Sequence, residues 1–134
     1  MLKRVHHINF VVHDLDLAAR KYQELFSLDH CEYLDHPHRS VKTARFKVGE
    51  TWIILLQPLD SESPPGKHLQ QHGEGFFLIS YEVENLSAAM KSIKDKGGTL
   101  KDEQARVGIL NWQVADIDPD STIGALTQLV EEKN

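Results

Sequence analysis

The side chains best equipped for chemistry in this chain are histidines and carboxamides set in alternating segments. From Val5 to Val12 residue character alternates, so His7, Asn9 and Val11 share one strand face while His6, Ile8, Phe10 and Val12 share the other. An imidazole and a carboxamide two residues apart suit the wall of a partly polar cavity. A histidine there can hold a cation or move a proton, though a hydrogen-bonded structural histidine is the commoner outcome. His36 and His38 flank Pro37 beside Arg39 and read first as a solvated loop. Arg45 and Lys47 alternate on another strand face. They could hold a phosphate or carboxylate, but an exposed face laced with ion pairs is the plainer reading. His68 and His72 have the i, i+4 spacing of a helical metal pair without an acidic or cysteine partner.

A repeat singles out further residues. The stretch from His6 to Asp16 recurs 71 residues later as Phe77 to Ser87: an alternating strand, a polar N-cap (Asp14, then Asn85), and a helix opening on leucine (Leu15, then Leu86). At the same offset Gln57, closing Ile53-Ile54-Leu55-Leu56, falls on Gln128 in Ala125–Leu129. Two carboxamides in matching places favour cavity positions over ordinary strand ends. Leu78 and Ser80 then correspond to His7 and Asn9.

These residues need elements to carry them. Leu15, Ala18, Ala19, Tyr22, Leu25 and Phe26 form one apolar helical stripe. A short strand at Tyr33-Leu34 ends near Asp35-His36-Pro37, and Val41–Val48 turns at Gly49-Glu50 into Thr51–Gln57. Leu86, Ala89, Met90 and Ile93 mark a second helix stopping at Gly97-Gly98. Thr99–Glu103, Ile109–Ile117 and Ala125–Val130 are the remaining strands. The expected fold is α+β: two tandem β-α-β-β-β modules forming a cupped mixed sheet with helices outside. Module one is 4–58, module two 75–131, and the proline- and glycine-rich 59–74 is a linker, with a short helix at Lys67–His72.

At 134 residues, 40% hydrophobic and 26% charged, the chain has the composition of one ordinary globular domain. Its net charge of −5 gives no general attraction to nucleic acid. The lone Cys31 excludes an intramolecular disulfide and a cysteine-only metal site. No apolar run approaches a membrane span and no signal region precedes the first strand, so a cytoplasmic location is expected.

The doubled unit with these residues resembles the vicinal oxygen chelate superfamily of glyoxalases, bleomycin-resistance proteins, extradiol dioxygenases and methylmalonyl-CoA epimerases. Similarity to the epimerase branch rests on His6-His7-Ile8, Leu55-Leu56-Gln57-Pro58-Leu59 with Ser63-Pro64, Gly75, Glu82-Val83-Glu84-Asn85, and Pro119 through Gly124-Ala125-Leu126-Thr127-Gln128-Leu129. The resemblance implies that each half supplies two metal ligands from its first and last strands. They fall on His7, Gln57, Leu78 and Gln128. Leu78 has no donor atom and Gln128 is neutral where the family has a carboxylate, so no tightly bound metal or other cofactor is expected. A weakly held divalent ion on His7, Gln57 and Gln128 is the alternative. The family's general-base glutamate falls on His38.

The resulting expectation is a small-molecule-binding member with a degenerate metal site. Its pocket would be lined by His7, Asn9, Gln57, Leu78, Ser80 and Gln128, and its ligand would be an acyl-thioester or small organic acid. The alternatives are an active metal-dependent isomerase or lyase with His38 as base, and a partner-binding domain whose cup is filled by side chains. Because modules of this fold often dimerise, a homodimer is also expected.

Overall fold

The computed structural model describes residues 1–108, 110 and 112–132. Eight strands form a mixed sheet: β1 (Leu2–Val11), β2 (Glu32–His36), β3 (Val41–Val48), β4 (Thr51–Pro58), β5 (Gly75–Val83), β6 (Arg106–Val107), β7 (Gln113–Ile117) and β8 (Leu126–Glu131). Their order is β2-β3-β4-β1-β5-β8-β7-β6, with β5 and β8 parallel and β2–β3, β3–β4, β6–β7 and β7–β8 antiparallel. Helix α1 (Leu15–Phe26) follows β1 and α3 (Leu86–Asp95) follows β5, so β-α-β-β-β occurs twice. Between the two lies α2 (Pro64–His72), opened by Ser63, whose hydroxyl accepts from the Gly66 N–H. Among the described residues, no helix is long and apolar enough to cross a membrane.

The chain forms two compact units, 8–77 and a second made of 1–7 with 78–134. Strand β1 therefore contributes its two ends to different units. Each unit has its own core. In the first, Val12, Leu15, Ala19, Ala44, Phe46 and Leu55 pack together. In the second, Val83, Leu86, Met90, Ala115, Ile117 and Leu129 do the same job. The first five pairs differ by 71 residues and the last, Leu55 with Leu129, by 74. Both helices open alike: Asp14 Oδ1 accepts from the Leu17 N–H and Asn85 Oδ1 from the Ala88 N–H.

The offset changes inside the second hairpin of each unit. Ala44 faces Leu55 in one and Ala115 faces Leu129 in the other. Between the next equivalent pairs, Phe46–Ile53 and Ile117–Thr127, lie six and nine residues. The first connection is the tight Gly49-Glu50 turn, where Gly49 takes φ +60°. The second holds a 3-10 turn at Pro119–Ser121, whose Asp118 side chain accepts from the Asp120 N–H. Three extra residues thus shift β8 relative to β4.

Two expected elements differ. Residues Thr99–Glu103 do not form a strand: Leu100 makes one bridge to Ile117, and the short edge strand is Arg106–Val107. Of the strand expected at Ile109–Ile117, the described part is Gln113–Ile117; Ile109 and Asn111 lie outside the described residues. The apolar stripe of α1 also stops short. Leu25 is 77% exposed and Phe26 62%, because the core contacts of this helix end with Tyr22.

Candidate functional site

Residues chosen from the sequence fall in both units, and each unit uses them differently. In the unit containing 1–7, His7 is 3% exposed on β1. Its Nδ1 lies 2.8 Å from His6 Nδ1, and its ring stacks on Trp112 at 5.1 Å and 25°. His6 is wholly buried, meets Trp112 edge-on at 4.5 Å, and places Nε2 2.7 Å from Glu132 Oε1. Burial pushes the His6 pKa down, opposed by its hydrogen bond to Glu132. Arg4 completes the group, bonding Glu82 at 2.6 Å and approaching Glu132 at 3.6 Å. Sequence reasoning missed His6, Trp112 and Glu132. Only the doubled His6-His7 hinted at them.

In the same unit Ser80 and Gln128 come together. Both are buried and face one another across β5 and β8, and the Ser80 hydroxyl donates to Gln128 Oε1 at 3.0 Å. Gln128 Nε2 donates to Asp116 Oδ1 at 3.1 Å. A carboxylate only accepts, so Asp116 fixes which end of the carboxamide points at it. Asp116 Oδ2 takes an N–H from Arg106 at 2.8 Å, and Arg106 leans back on Asp102. Leu78, 5% exposed, sits two residues before Ser80 on β5 and brings only hydrocarbon.

In the unit 8–77, Asn9 is buried and its Oδ1 has no hydrogen-bond partner among the described residues. Gln57 does something other than expected. Its Oε1 accepts from the Leu15 N–H at 2.9 Å, satisfying an orphan donor at the start of α1. The residue with that task in the other unit is Glu131, whose Oε1 accepts from the Leu86 N–H at 2.8 Å. Gln57 therefore corresponds to Glu131, and the pairing of Gln57 with Gln128 is corrected. With the shifted register, Gln128 corresponds to Ile54: Gln128 faces Asp116, and Ile54 faces Arg45. Ile54 is 1% exposed.

Other sequence candidates separate. His38 is exposed in a 3-10 turn, Pro37–Arg39, after β2. His36 lies closer to the sheet, with Nε2 3.2 Å from Thr43 Oγ1; burial, then Arg39, pushes its pKa down. Arg45 is not on an exposed face as expected. It is buried, bonds Glu32 at 3.0 Å, and lies 3.7 Å from the centre of the Trp52 ring, an arrangement that suits a guanidinium. Lys47 remains exposed. His68 and His72 have ring centres 4.5 Å apart, and His68 Nε2 is 3.1 Å from the Phe76 carbonyl. Among the described residues, no group of three histidine, cysteine or carboxylate side chains could hold a metal ion. A cavity of about 310 Å³ lies on the α1 side of the 8–77 unit, lined by Phe10, Leu17, Lys21, Tyr22 and Glu74 among others. None of the expected site residues lines it.

The profile of the glyoxalase/bleomycin resistance protein/dioxygenase superfamily matches residues 6–115. The mitochondrial methylmalonyl-CoA epimerase of Mus musculus is 30% identical over 96% of this chain and 72% of its own length. The crystal structure of methylmalonyl-CoA epimerase from Mycobacterium tuberculosis matches with a TM-score of 0.91 and 27% identity, over 99% of this chain and 90% of that one. A variant Streptomyces coelicolor methylmalonyl-CoA epimerase, in complex with 2-nitronate-propionyl-CoA, matches at 0.92 and 26% identity over the full length of both chains. Doubled β-α-β-β-β units, a profile match over most of the sequence and this level of identity agree: the chain belongs to the glyoxalase/bleomycin resistance protein/dioxygenase superfamily.

Proposed function

We propose that this protein binds a small acyl-thioester or organic acid and has lost the metal site of its epimerase-like relatives. The observation that carries this reading is hydrocarbon at two ligand positions. If each half gives one ligand from its first strand and one from its last, the register found here assigns His7, Ile54, Leu78 and Gln128. Ile54 and Leu78 have no donor atoms, and both are buried. Gln128 has both ends of its carboxamide engaged, by Ser80 and Asp116. A divalent ion needs several imidazole or oxygen donors and negative charge to offset its lost water. One imidazole and one occupied carboxamide do not fit it. Substituting Gln57 for Ile54 does not help, because its oxygen serves the start of α1.

Ligand binding is supported by the polar groups that remain. Asn9 Oδ1 is buried without a partner among the described residues, and a buried carbonyl of this kind is ordinarily matched by water or ligand. A close structural relative holds an acyl-CoA compound. We assign ligand-facing roles to His7, Leu78, Ser80 and Gln128 within one unit and to Asn9 within the other, in a cytoplasmic homodimer built from modules 4–58 and 75–131.

Elemental analysis of protein purified without chelator tests the metal claim. Far less than one ion per chain is expected, and a stoichiometric ion overturns it. Thermal-shift screening against CoA thioesters and small acids tests binding: a stabilising hit is expected. A broad screen without one favours a partner-binding domain instead. The active isomerase with His38 as base draws on the epimerase likeness alone. Exchange of the substrate α-proton, lost in His38→Ala, would establish it.

A further inference from the structure

We propose that the cavity beside α1 binds a free amino acid with a bulky apolar side chain. Glu74 takes its ammonium, Lys21 its carboxylate, and the outer side of the 8–77 core its hydrocarbon. None of His7, Asn9, Leu78, Ser80 and Gln128 lines this cavity, so the inference is independent of the proposed function.

One helix face and one strand end build the cavity. Leu17, Ala18, Lys21 and Tyr22 follow Asp14 at i+3, i+4, i+7 and i+8, so α1 turns a single stripe toward the space. The end of β1 supplies Phe10 and Val12, and β4 supplies Leu55. Val12 and Leu55 are buried core residues, and Phe10, Ala18 and Tyr22 pack against them. Ring contacts restrain the two aromatics: Phe10 meets Phe76 edge-on at 6.4 Å, and Tyr22 lies 5.6 Å from Phe46. The floor is therefore fixed hydrocarbon, and Leu17, 43% exposed, adds an apolar lip. A volume of about 310 Å³ is at the small end for small-molecule sites, which run about 300–1,000 Å³. It suits a molecule of amino-acid size and excludes a whole coenzyme A thioester.

Charge selects among small apolar ligands. Glu74 Oε2 accepts from the His13 N–H at 2.9 Å, and Asp14 Oδ1 from the Leu17 N–H. Among the described residues, the second oxygen of each carboxylate is uncommitted, and Lys21 has no ion pair. The start of α1 offers an anion little, because Gln57 and Asp14 occupy the N–H groups of Leu15 and Leu17. An acid without an amine thus meets one cation and two carboxylates, and an amine without an acid leaves Lys21 unmatched. A zwitterion answers both signs. An α-amino acid carries both charges and an apolar side chain within the volume available.

Titration of the ¹⁵N-labelled full chain with L-phenylalanine, followed through amide chemical shifts, tests the proposal. Saturable shifts centred on residues 10–22 and 74–76 are expected, and glycine should give none. 3-Phenylpropanoate, which lacks the amine, and 2-phenylethylamine, which lacks the carboxylate, should each bind about fivefold more weakly, the upper end for one exposed ion pair. Lys21→Met should bring L-phenylalanine down to the level of the amine. Glu74→Gln, which keeps an oxygen for the His13 N–H, should bring it down to the level of the acid. Both positions are exposed, so neither change disturbs the core. Absence of a saturable shift overturns the site. Equal binding of the three phenyl compounds, or a preference that survives both substitutions, overturns the zwitterion assignment. Shifts centred on Ser80 and Gln128 instead would also overturn the inference, while leaving the proposed function standing.

Discussion

The hairpins β3–β4 and β7–β8 are copies of one design used for different purposes. Their cores are alike: Ala44 against Leu55, Ala115 against Leu129. On the other face they diverge. One hairpin sets Arg45 opposite Ile54 and turns the guanidinium to Glu32 and Trp52. The other sets Asp116 opposite Gln128 and closes a chain of hydrogen bonds through Ser80. The core face tolerates little because packed volume is costly to change. The opposite face is where duplicated halves are free to differ.

If the two cores are equivalent, Leu129→Ala and Leu55→Ala should destabilise by similar amounts, about 2–5 kcal/mol each in denaturant unfolding. A gap of several kcal/mol between them would break the correspondence. Gln128→Glu sharpens the difference. It sets a carboxylate about 3 Å from Asp116, where two charges cannot both be borne without loss. We expect about 3 kcal/mol of destabilisation at neutral pH, comparable to leaving a buried charge uncompensated, shrinking as pH falls. Asp116→Asn added to it should recover most of the loss.

The matched helix openings give a smaller effect. Gln57→Ala should cost about 1 kcal/mol, and Glu131→Ala slightly more, because a carboxylate also favours the helix N-terminus. Equal stability of Gln57→Ala and the parent would remove the basis for pairing Gln57 with Glu131. The smallest effect is the pH dependence. His6 in one unit and His36 in the other are both held below the ordinary value of 6.5, chiefly by burial. The unfolded chain then binds more protons as pH drops, so stability is flat above about 6.5 and is lost below it. His36→Gln should flatten part of that slope, and His6→Gln with it should flatten most. A slope unchanged in the double variant would contradict the burial of both rings.

Much of this was legible in the sequence because it depends on local rules. Asp14 and Asn85 announce helix starts, alternation in Val5–Val12 puts His7 and Asn9 on one face, and the recurrence after 71 residues reveals two β-α-β-β-β units. What escaped was everything that depends on pairing across distance. A three-residue insertion between β7 and β8 leaves no mark in a strand's own pattern. Sequence matching followed the likeness of two glutamines, and only hydrogen bonds to Leu15 and Leu86 revealed the true partners. The roles of Trp112 and Glu132 beside His6 were hidden for the same reason: residues more than 100 positions apart meet only when strands are laid together. Local chemistry is written along the chain, whereas register and the close approach of residues from distant strands exist only once the chain has folded.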